Sequence, residues 1–465
     1  MNRLRSRTPL AVLLALAVAC NFITSRLQLA PPPTAIPVTG ITLTATPAAQ
    51  PRPAYIPPGC ENAAIATIPA ATELALPTPA IQANPPIDQT TQLKVFDETA
   101  RVISEVYVYP DFNGKDWKSI VVGQRAKVAA GLSTEAFYNE MQTMVDELGD
   151  EHSRFDSPVD VAESLAELNG TSQYVGIGVL VVPKMKKSRI AIAGLFPDSP
   201  AERGGLRVHD AILSVDGLPL VENGSAYTYR IRGPECSTAR LTVQSPGQAP
   251  RDVLVMRHRI EGDVPIQSQL VPTQDGSRIG YIMLPSFFDE KIPGQVANAL
   301  RNFGDLDGLI LDNRLNGGGS SDVVEPILSY FVGGTLGRFR SRAASRPLAV
   351  QPDPIGNSHT VPLIVLVGQD TESFGEIFSG VLQDEGRARI VGQTTPGNVE
   401  ILHGYDFEDG SRLWIAEETF DPAHSHADWE KTGIVPDVQA SADWDTFTMQ
   451  NDPAVKASLT LLGHQ

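Results

Sequence analysis

Ser373 lies in Thr371-Glu372-Ser373-Phe374-Gly375-Glu376, just after the β-branched run 361–367 and a short polar turn. The run reads as a buried strand, and residues 376–384 put Ile377, Phe378, Val381 and Leu382 on one helical face. The Ser373 hydroxyl therefore stands where a strand hands over to a helix, and the unpartnered N–H groups of the first helical turn point at whatever binds there. That is nucleophile geometry. It is equally the position of an ordinary N-cap serine, and the stretch alone leaves both roles open. Acyl transfer by a serine also needs donors for the developing oxyanion, a base, and a group that orients the base. A second glycine-rich turn, Asn316-Gly317-Gly318-Gly319, follows the short apolar run 309–312. Gly317 and Gly318 lack side chains, so their N–H groups can approach a reacting carbonyl, and the N–H of Phe374 is a further donor. A turn that merely ends a strand is the plain alternative for three glycines. Its pairing with Ser373 weakens that alternative.

The elements that must position these residues follow from periodicity. Residues 91–147 have helical spacing, with Val95, Ala100, Val102, Ile103 and Val106 in one run and Phe137, Met141, Met144 and Val145 in another. Residues 173–260 change to short β-rich runs between turn residues, a compact and mostly β module. From 278 to about 442 strands and helices alternate: strands at 279–284, 309–312, 361–367 and 389–391, and helices at 293–301, 323–331 and 376–384. That is an α/β layer with parallel pairing. Ligands in such sheets sit beyond the carboxyl ends of the strands, where the glycine turn and Ser373 both fall.

Two resemblances sharpen this outline. Tyr174-Val175-Gly176-Ile177-Gly178-Val179, then Ser199-Pro200-Ala201-Glu202-Arg203-Gly204-Gly205-Leu206 and Asp210-Ala211-Ile212-Leu213-Ser214-Val215-Asp216-Gly217, resemble a PDZ domain of the bacterial protease type. The resemblance implies a peptide-binding loop at Val175, Gly176, Ile177 and Gly178, whose N–H groups meet a terminal carboxylate while the peptide adds as an edge strand. The second resemblance rests on Gly-Tyr-Ile-Met-Leu-Pro-Ser-Phe, Asp-Asn-Arg-Leu-Asn-Gly-Gly-Gly, Thr-Glu-Ser-Phe-Gly-Glu-Ile-Phe, Gly-Arg-Ala-Arg-Ile-Val-Gly-Gln-Thr-Thr and Gly-Ile-Val-Pro-Asp, in that order. Together with the PDZ-like module, these look like the C-terminal processing (tail-specific) peptidase family and its tricorn-like relatives, over residues 91–442. The implied fold is α/β: a Clp protease/crotonase-like catalytic core of ββα units, with an inserted mostly-β PDZ domain and a small helical N-terminal subdomain. The implied nucleophile is Ser373.

One departure from the family matters. The better-known branch draws its base from a lysine in Thr-x-Gly-Lys, and this chain has Thr395-Pro396-Gly397-Asn398 instead. An asparagine side chain cannot accept the proton, so no serine–lysine dyad forms at this position. In the tricorn-like branch the base is a histidine near the start of the core region, oriented by an acid before the last Gly-x-x-Pro-Asp. The matching residues are His152 and Glu430, and the resemblance implies a triad of Ser373, His152 and Glu430. His403 and Glu400, close after Asn398, are rivals for the same cleft, and Asn398 itself is a further candidate, as a hydrogen-bond donor to substrate. His424-Ser425-His426 looks like a fragment of a metal site, but no HExxH or matching carboxylate set accompanies it, so no metal and no cofactor are expected.

Composition bounds the partners. A net charge of −17, from 37 basic and 54 acidic residues among 465, leaves no broad cationic surface for nucleic acid. The N-terminus carries Arg3, Arg5 and Arg7, then an apolar run at 9–19 too short to span a bilayer, which is a secretory signal pattern. Ala17-Val18-Ala19-Cys20 resembles a lipobox, so residues 1–20 are expected to be a lipoprotein-type signal peptide with lipidation at Cys20, holding the protein to the outer face of the cytoplasmic membrane; ordinary cleavage nearby and a soluble secreted protein is the alternative. Consumption of Cys20 leaves Cys60 and Cys236 as a pair in an oxidising setting, and a disulfide between them is expected. The remaining boundaries are a Pro/Thr/Ala-rich linker at 21–90, the helical subdomain at 91–168, the PDZ domain at 169–262, the peptidase core at 263–445 and a C-terminal tail at 446–465. The expected function is an exported, lipid-anchored serine endopeptidase acting on unstructured polypeptides. The rival is a catalytically silent cell-surface peptide-binding protein on a peptidase-like core.

Overall fold

The computed structural model describes residues 53–61, 84–150, 152–162, 175–222, 225–260, 266–441 and 443–464. The signal peptide expected at 1–20, with Cys20, and most of the linker expected at 21–90 lie outside the described residues.

A six-stranded sheet organises the chain. Its strands, in spatial order, are Gln267–Val271, Ile279–Met283, Gly308–Asp312, Leu363–Val367, Ala388–Gly392 and Val438–Gln439. The first pair is antiparallel and the remaining pairs are parallel. Leu363–Val367 is buried at all five residues, the mark of a parallel strand covered on both faces. Alternation then divides its side chains. Val365 and Val367 pack with the helices Ile292–Phe303, Ser321–Ser329 and Phe374–Asp384, whereas Ile364 and Leu366 join Trp444, Ala454 and Val455 on the opposite face. Residues 446–465, expected as a tail, instead carry the helix Pro453–Leu462, capped by Asp452 and buried through Ala454, Val455 and Ser458.

A second sheet lies outside the simple strand–helix alternation read from the sequence. It contains Arg154–Asp156, Gly334–Arg340, Ser345–Val350, Ile401–Asp406 and the eleven-residue strand Arg412–Pro422, which pairs with three of the others. Three helices, Gln89–Val106, Trp117–Ala129 and Thr134–Asp146, cover part of it. Phe96, Ile103, Phe137 and Met141 share one core with Leu413 and Ile415. The helices start where the capping rules put them: Asp88 accepts from Thr91 N at 2.8 Å, and Ser133 accepts from Ala136 N at 3.3 Å.

Between these regions is an antiparallel β module in the order Arg251–Met256, Thr238–Gln244, Ala211–Val215, Arg189–Leu195 and Val179–Lys184. Its own core holds Ile190, Ile192, Ile212, Leu241 and Val243. Ala191 and Ala193, on the other face of the same strand, pack with Tyr281 and Ile310 of the central sheet. Cys60 and Cys236 are joined by a disulfide, which ties the segment 53–61 to this module.

Candidate active site

Ser373 is the residue before the helix Phe374–Asp384, and its backbone is held at φ 53°, ψ −126°. A side chain at positive φ is uncommon, and this combination normally belongs to glycine at the first corner of a type II′ turn. The Ser373 side chain makes no capping hydrogen bond. The plain N-cap role therefore has no support, and the strained backbone lifts a free hydroxyl at the end of the buried Leu363–Val367 strand. Such strain persists only where the surroundings enforce it. Here Ser373 N donates to Asn398 O at 2.8 Å, and Glu372 N donates to Asn316 O at 3.0 Å.

The turn that ends the neighbouring strand Gly308–Asp312 comes against the same point. A methyl group on Gly318 would lie 2.7 Å from Ser373 Cβ and 3.1 Å from its Oγ, so only glycine fits there, and its φ of 95° demands the same. The next glycine, Gly319, is pressed onto the Phe287 backbone, where Phe287 N donates to Gly318 O at 2.7 Å and Ser320 N to Phe287 O at 2.8 Å. The N–H of Gly318 is already committed: it donates to Asn316 Oδ1 at 2.9 Å. Among the described residues, the N–H groups of Gly317 and Phe374 donate to no protein acceptor. Of the three oxyanion donors read from the sequence, two are open and Gly318 serves by its missing side chain.

Asn398 occupies the turn where a lysine base would stand. Glu376, fully buried in the first turn of the Ser373 helix, accepts from Thr395 Oγ1, from Gly397 N at 2.9 Å and from Asn398 N at 2.7 Å. Burial pushes the Glu376 carboxyl up in pKa, against the lowering effect of these three donors. The carboxyl thus ties the Thr-Pro-Gly-Asn turn to the helix that follows Ser373 and leaves Asn398 O for Ser373 N.

His152 sits in a turn held by Asp150 Oδ1, which accepts from His152 N at 3.1 Å and Ser153 N at 2.6 Å. Ser153 Oγ then accepts from Ala416 N at 3.1 Å, fixing the turn to the long strand Arg412–Pro422. The acid against His152 is Glu400 and not Glu430: Nδ1 lies 3.2 Å from Glu400 Oε2, within ion-pair distance although off the line of a good hydrogen bond. Tyr109 OH donates to the other Glu400 oxygen at 2.8 Å. Glu430 stands behind this pair, with its Oε2 accepting from Val399 N at 2.7 Å. Burial and the neighbouring Glu400 push the Glu430 carboxyl up to about 9. Burial also works against Glu400, but the facing His152, the neighbouring Glu430 and the Tyr109 hydroxyl outweigh it and hold Glu400 below its usual range. Two buried carboxyls in contact cannot both ionise, and the proton goes to Glu430, which has fewer donors for its anion. Glu400 had a local signal, its closeness to Asn398. Which acid meets His152 depends instead on pairing between distant strands.

The other expected residues fall elsewhere. His403 is half exposed on Ile401–Asp406 and paired with Glu418 at 3.2 Å. His424 and His426 are exposed and paired with Glu385 and Asp421. Among the described residues no cluster of His, Cys, Asp or Glu could hold a metal ion. In the β module, Val175 and Gly176 pair with Arg259 and His258, Ala201 N donates to Ile177 O at 2.8 Å, and Gly178 at φ 78° is pressed onto Ser199.

Residues 278–440 match the family model described as peptidase family S41. The chain is 28% identical over 392 residues to a carboxyl-terminal-processing protease of Synechocystis sp., an alignment covering 80% of this chain and 87% of that protein. It is 26% identical over 390 residues to the chloroplastic carboxyl-terminal-processing peptidase 3 of Arabidopsis thaliana, covering 80% and 74%. The fold is similar to the solved structure of a photosystem II D1 C-terminal processing protease, with a TM-score of 0.55 at 23% identity, over 76% of this chain and 94% of that one.

Proposed function

We propose that this serine-type peptidase, whose residues 278–440 match peptidase family S41, is an exported endopeptidase cleaving unstructured polypeptides near their C-termini, through an acyl-enzyme on Ser373. The observation that carries the reading is the Ser373 backbone, held at positive φ with its hydroxyl free of any capping role beside Gly318.

In this mechanism Ser373 Oγ attacks the scissile carbonyl while His152 takes its proton. Nδ1 of His152 faces the anionic Glu400, which leaves Nε2 as the base and steadies the imidazolium that forms. Glu430, holding a proton, supports Glu400 from behind. The N–H groups of Gly317 and Phe374 meet the charge on the carbonyl oxygen, the step in which preorganised donors have most effect. His152 then gives its proton to the departing amine, and water repeats the sequence on the acyl-enzyme.

The β module acts as a PDZ domain, a reading supported by the Val175–Gly178 loop and by Val179–Lys184, which stands at the edge of its sheet where a peptide strand can add. Export with a lipid anchor at Cys20 is supported by the N-terminal signal pattern, and the Cys60–Cys236 disulfide suits an oxidising compartment. No helix among the described residues is long and apolar enough to cross a membrane.

The test is cleavage of a labelled, permanently unfolded casein by the purified protein. Wild type is expected to cleave internal bonds, whereas Ser373→Ala and His152→Ala lose the activity. Full activity in His152→Ala would remove the histidine mechanism.

A further inference from the structure

Arg314 is three residues ahead of Gly317, yet its side chain points away from Ser373 and is only 1% exposed. Its guanidinium is held by two carboxylates that are equally buried. Nε donates to Asp312 Oδ1 at 2.9 Å and Nη2 to Asp312 Oδ2 at 2.5 Å, while Nη1 and Nη2 reach Asp452 Oδ1 and Oδ2 at 3.1 and 2.6 Å. A fork bonded on two sides in a dry site is the geometry that fixes an arginine most firmly. The rings of Trp444 and Phe447 cover the guanidinium at 5.2 and 5.1 Å.

One guanidinium faces two carboxylates, and the excess negative charge is met by Tyr281 OH, 2.6 Å from Asp312 Oδ2, and by the first turn of the C-terminal helix. There Asp452 Oδ1 accepts from Ala454 N at 2.8 Å and Val455 N at 3.3 Å. Asp452 is thus both the N-cap of that helix and a partner of Arg314.

The turn carrying Arg314 is tied on its other side to the Ser373 loop. Asn313 Nδ2 donates to Gly375 O at 2.7 Å and Ser379 Oγ at 2.8 Å, Thr371 Oγ1 donates to Asn313 O at 2.8 Å, and Asn316 O accepts from Glu372 N. The 313–316 turn is therefore clamped between the Ser373 helix and the C-terminal helix. Among the described residues, the Arg314–Asp452 pair is the charged tie of this turn to the C-terminal side.

We infer that Asp452 is a positioning residue for catalysis: through Arg314 it sets the turn that aims the Gly317 N–H at the carbonyl under attack by Ser373. Asp452 lies beyond 278–440, so the charge that holds this turn comes from outside the residues that match the family model. The inference rests on the serine-peptidase reading above. A donor displaced by a fraction of an ångström weakens the transition state and leaves substrate binding nearly unchanged.

The test compares the full-length protein with Asp452→Asn, which keeps the N-cap and removes the charge, and with Asp452→Glu, which keeps the charge on a longer stem. Val455→Ala is the control, since it loosens the same helix without touching Arg314. Inactivation by a fluorophosphonate and hydrolysis of unfolded casein are measured well below the melting temperature of every variant. Asp452→Asn should lower the limiting inactivation rate and kcat by about tenfold or more, with apparent affinities within about twofold. Asp452→Glu should recover part of the loss, and Val455→Ala should match wild type. Equal rates for Asp452→Asn and wild type would overturn the inference, as would an equal loss in Val455→Ala. If Asp452→Asn does not fold, the rate for folded Asp452→Glu decides: a wild-type rate counts against positioning and a reduced one supports it. A wild type that neither labels nor cleaves would instead overturn the peptidase reading itself.

Discussion

Nδ1 of His152 lies 3.2 Å from Oε2 of Glu400, and these residues come from segments nearly 250 positions apart, brought together on the two sides of the strand Arg412–Pro422. His152 is thus held against the second sheet, whereas Ser373 follows a strand of the first. Glu430 contributes from the far side of Glu400.

Removing the charge that faces the imidazole tests this arrangement. Glu400→Gln should lower kcat by at least about a hundredfold, because the amide favours the wrong tautomer and cannot steady the imidazolium. Glu430→Gln should cost less, since an amide resembles the protonated carboxyl already there. Steady-state kinetics on unfolded casein check the order, and a greater loss in Glu430→Gln would reverse the roles.

The same pair makes stability depend on pH. The folded Glu430 carboxyl holds its proton up to about 9, while in the unfolded chain it releases it near 4.3. Its contribution is fully present below that lower value, declines as pH rises, and is gone above about 9. Glu400, held below its usual range, contributes in the opposite sense, with a share that is lost as pH falls through its folded value. Urea unfolding from about pH 6 to about pH 9 should therefore show wild type losing stability relative to Glu430→Gln. Parallel profiles would contradict the shared-proton arrangement.

Backbone strain at Ser373 separates stability from activity. Glycine adopts φ 53°, ψ −126° without penalty, whereas alanine does not. Ser373→Gly should be more stable than Ser373→Ala by roughly 1 kcal/mol, and both should be inactive. Thermal unfolding of the two proteins decides this.

Gly318→Ala should abolish activity. Its added carbon would stand 2.7 Å from Ser373 Cβ, and its φ of 95° opposes any side chain. The fluorophosphonate labelling rate of the folded variant should fall by about a hundredfold or more, the scale of a damaged oxyanion site.

The Cys60–Cys236 disulfide closes a separation of 176 residues. Replacing both cysteines by serine should lower stability by about 2–4 kcal/mol, in line with native disulfides generally. Denaturant curves with and without reductant measure it, and coincident curves would mean the 53–61 segment adds nothing.

What the sequence makes legible here is local. Ser373 and the glycine turn are read from adjacent residues, because a strand, a turn and a helix leave their marks within a few positions. The exclusion of a lysine base at Asn398 needs one residue alone. Asn316-Gly317-Gly318 also holds the signal that Gly318 N–H is occupied, since asparagine side chains commonly bond the backbone two residues on. The second sheet leaves a weaker trace. Ser345–Val350 is a mostly exposed edge strand with Arg346 and Pro347 in its first half, and it lacks the apolar run that reveals Leu363–Val367. Because His152 and Glu400 meet only through the pairing of Arg412–Pro422 with its neighbours, the choice between Glu400 and Glu430 was not readable from either glutamate. Nor was the tie from Arg314 to Asp452, 138 positions apart.

The most direct measurement is site-resolved mass analysis of the protein after reaction with a fluorophosphonate. One adduct is expected, on Ser373, formed more slowly in His152→Ala and absent in Ser373→Ala, which also fails to cleave unfolded casein. An unlabelled but folded wild type, or a Ser373→Ala protein that still labels and cleaves, would contradict it.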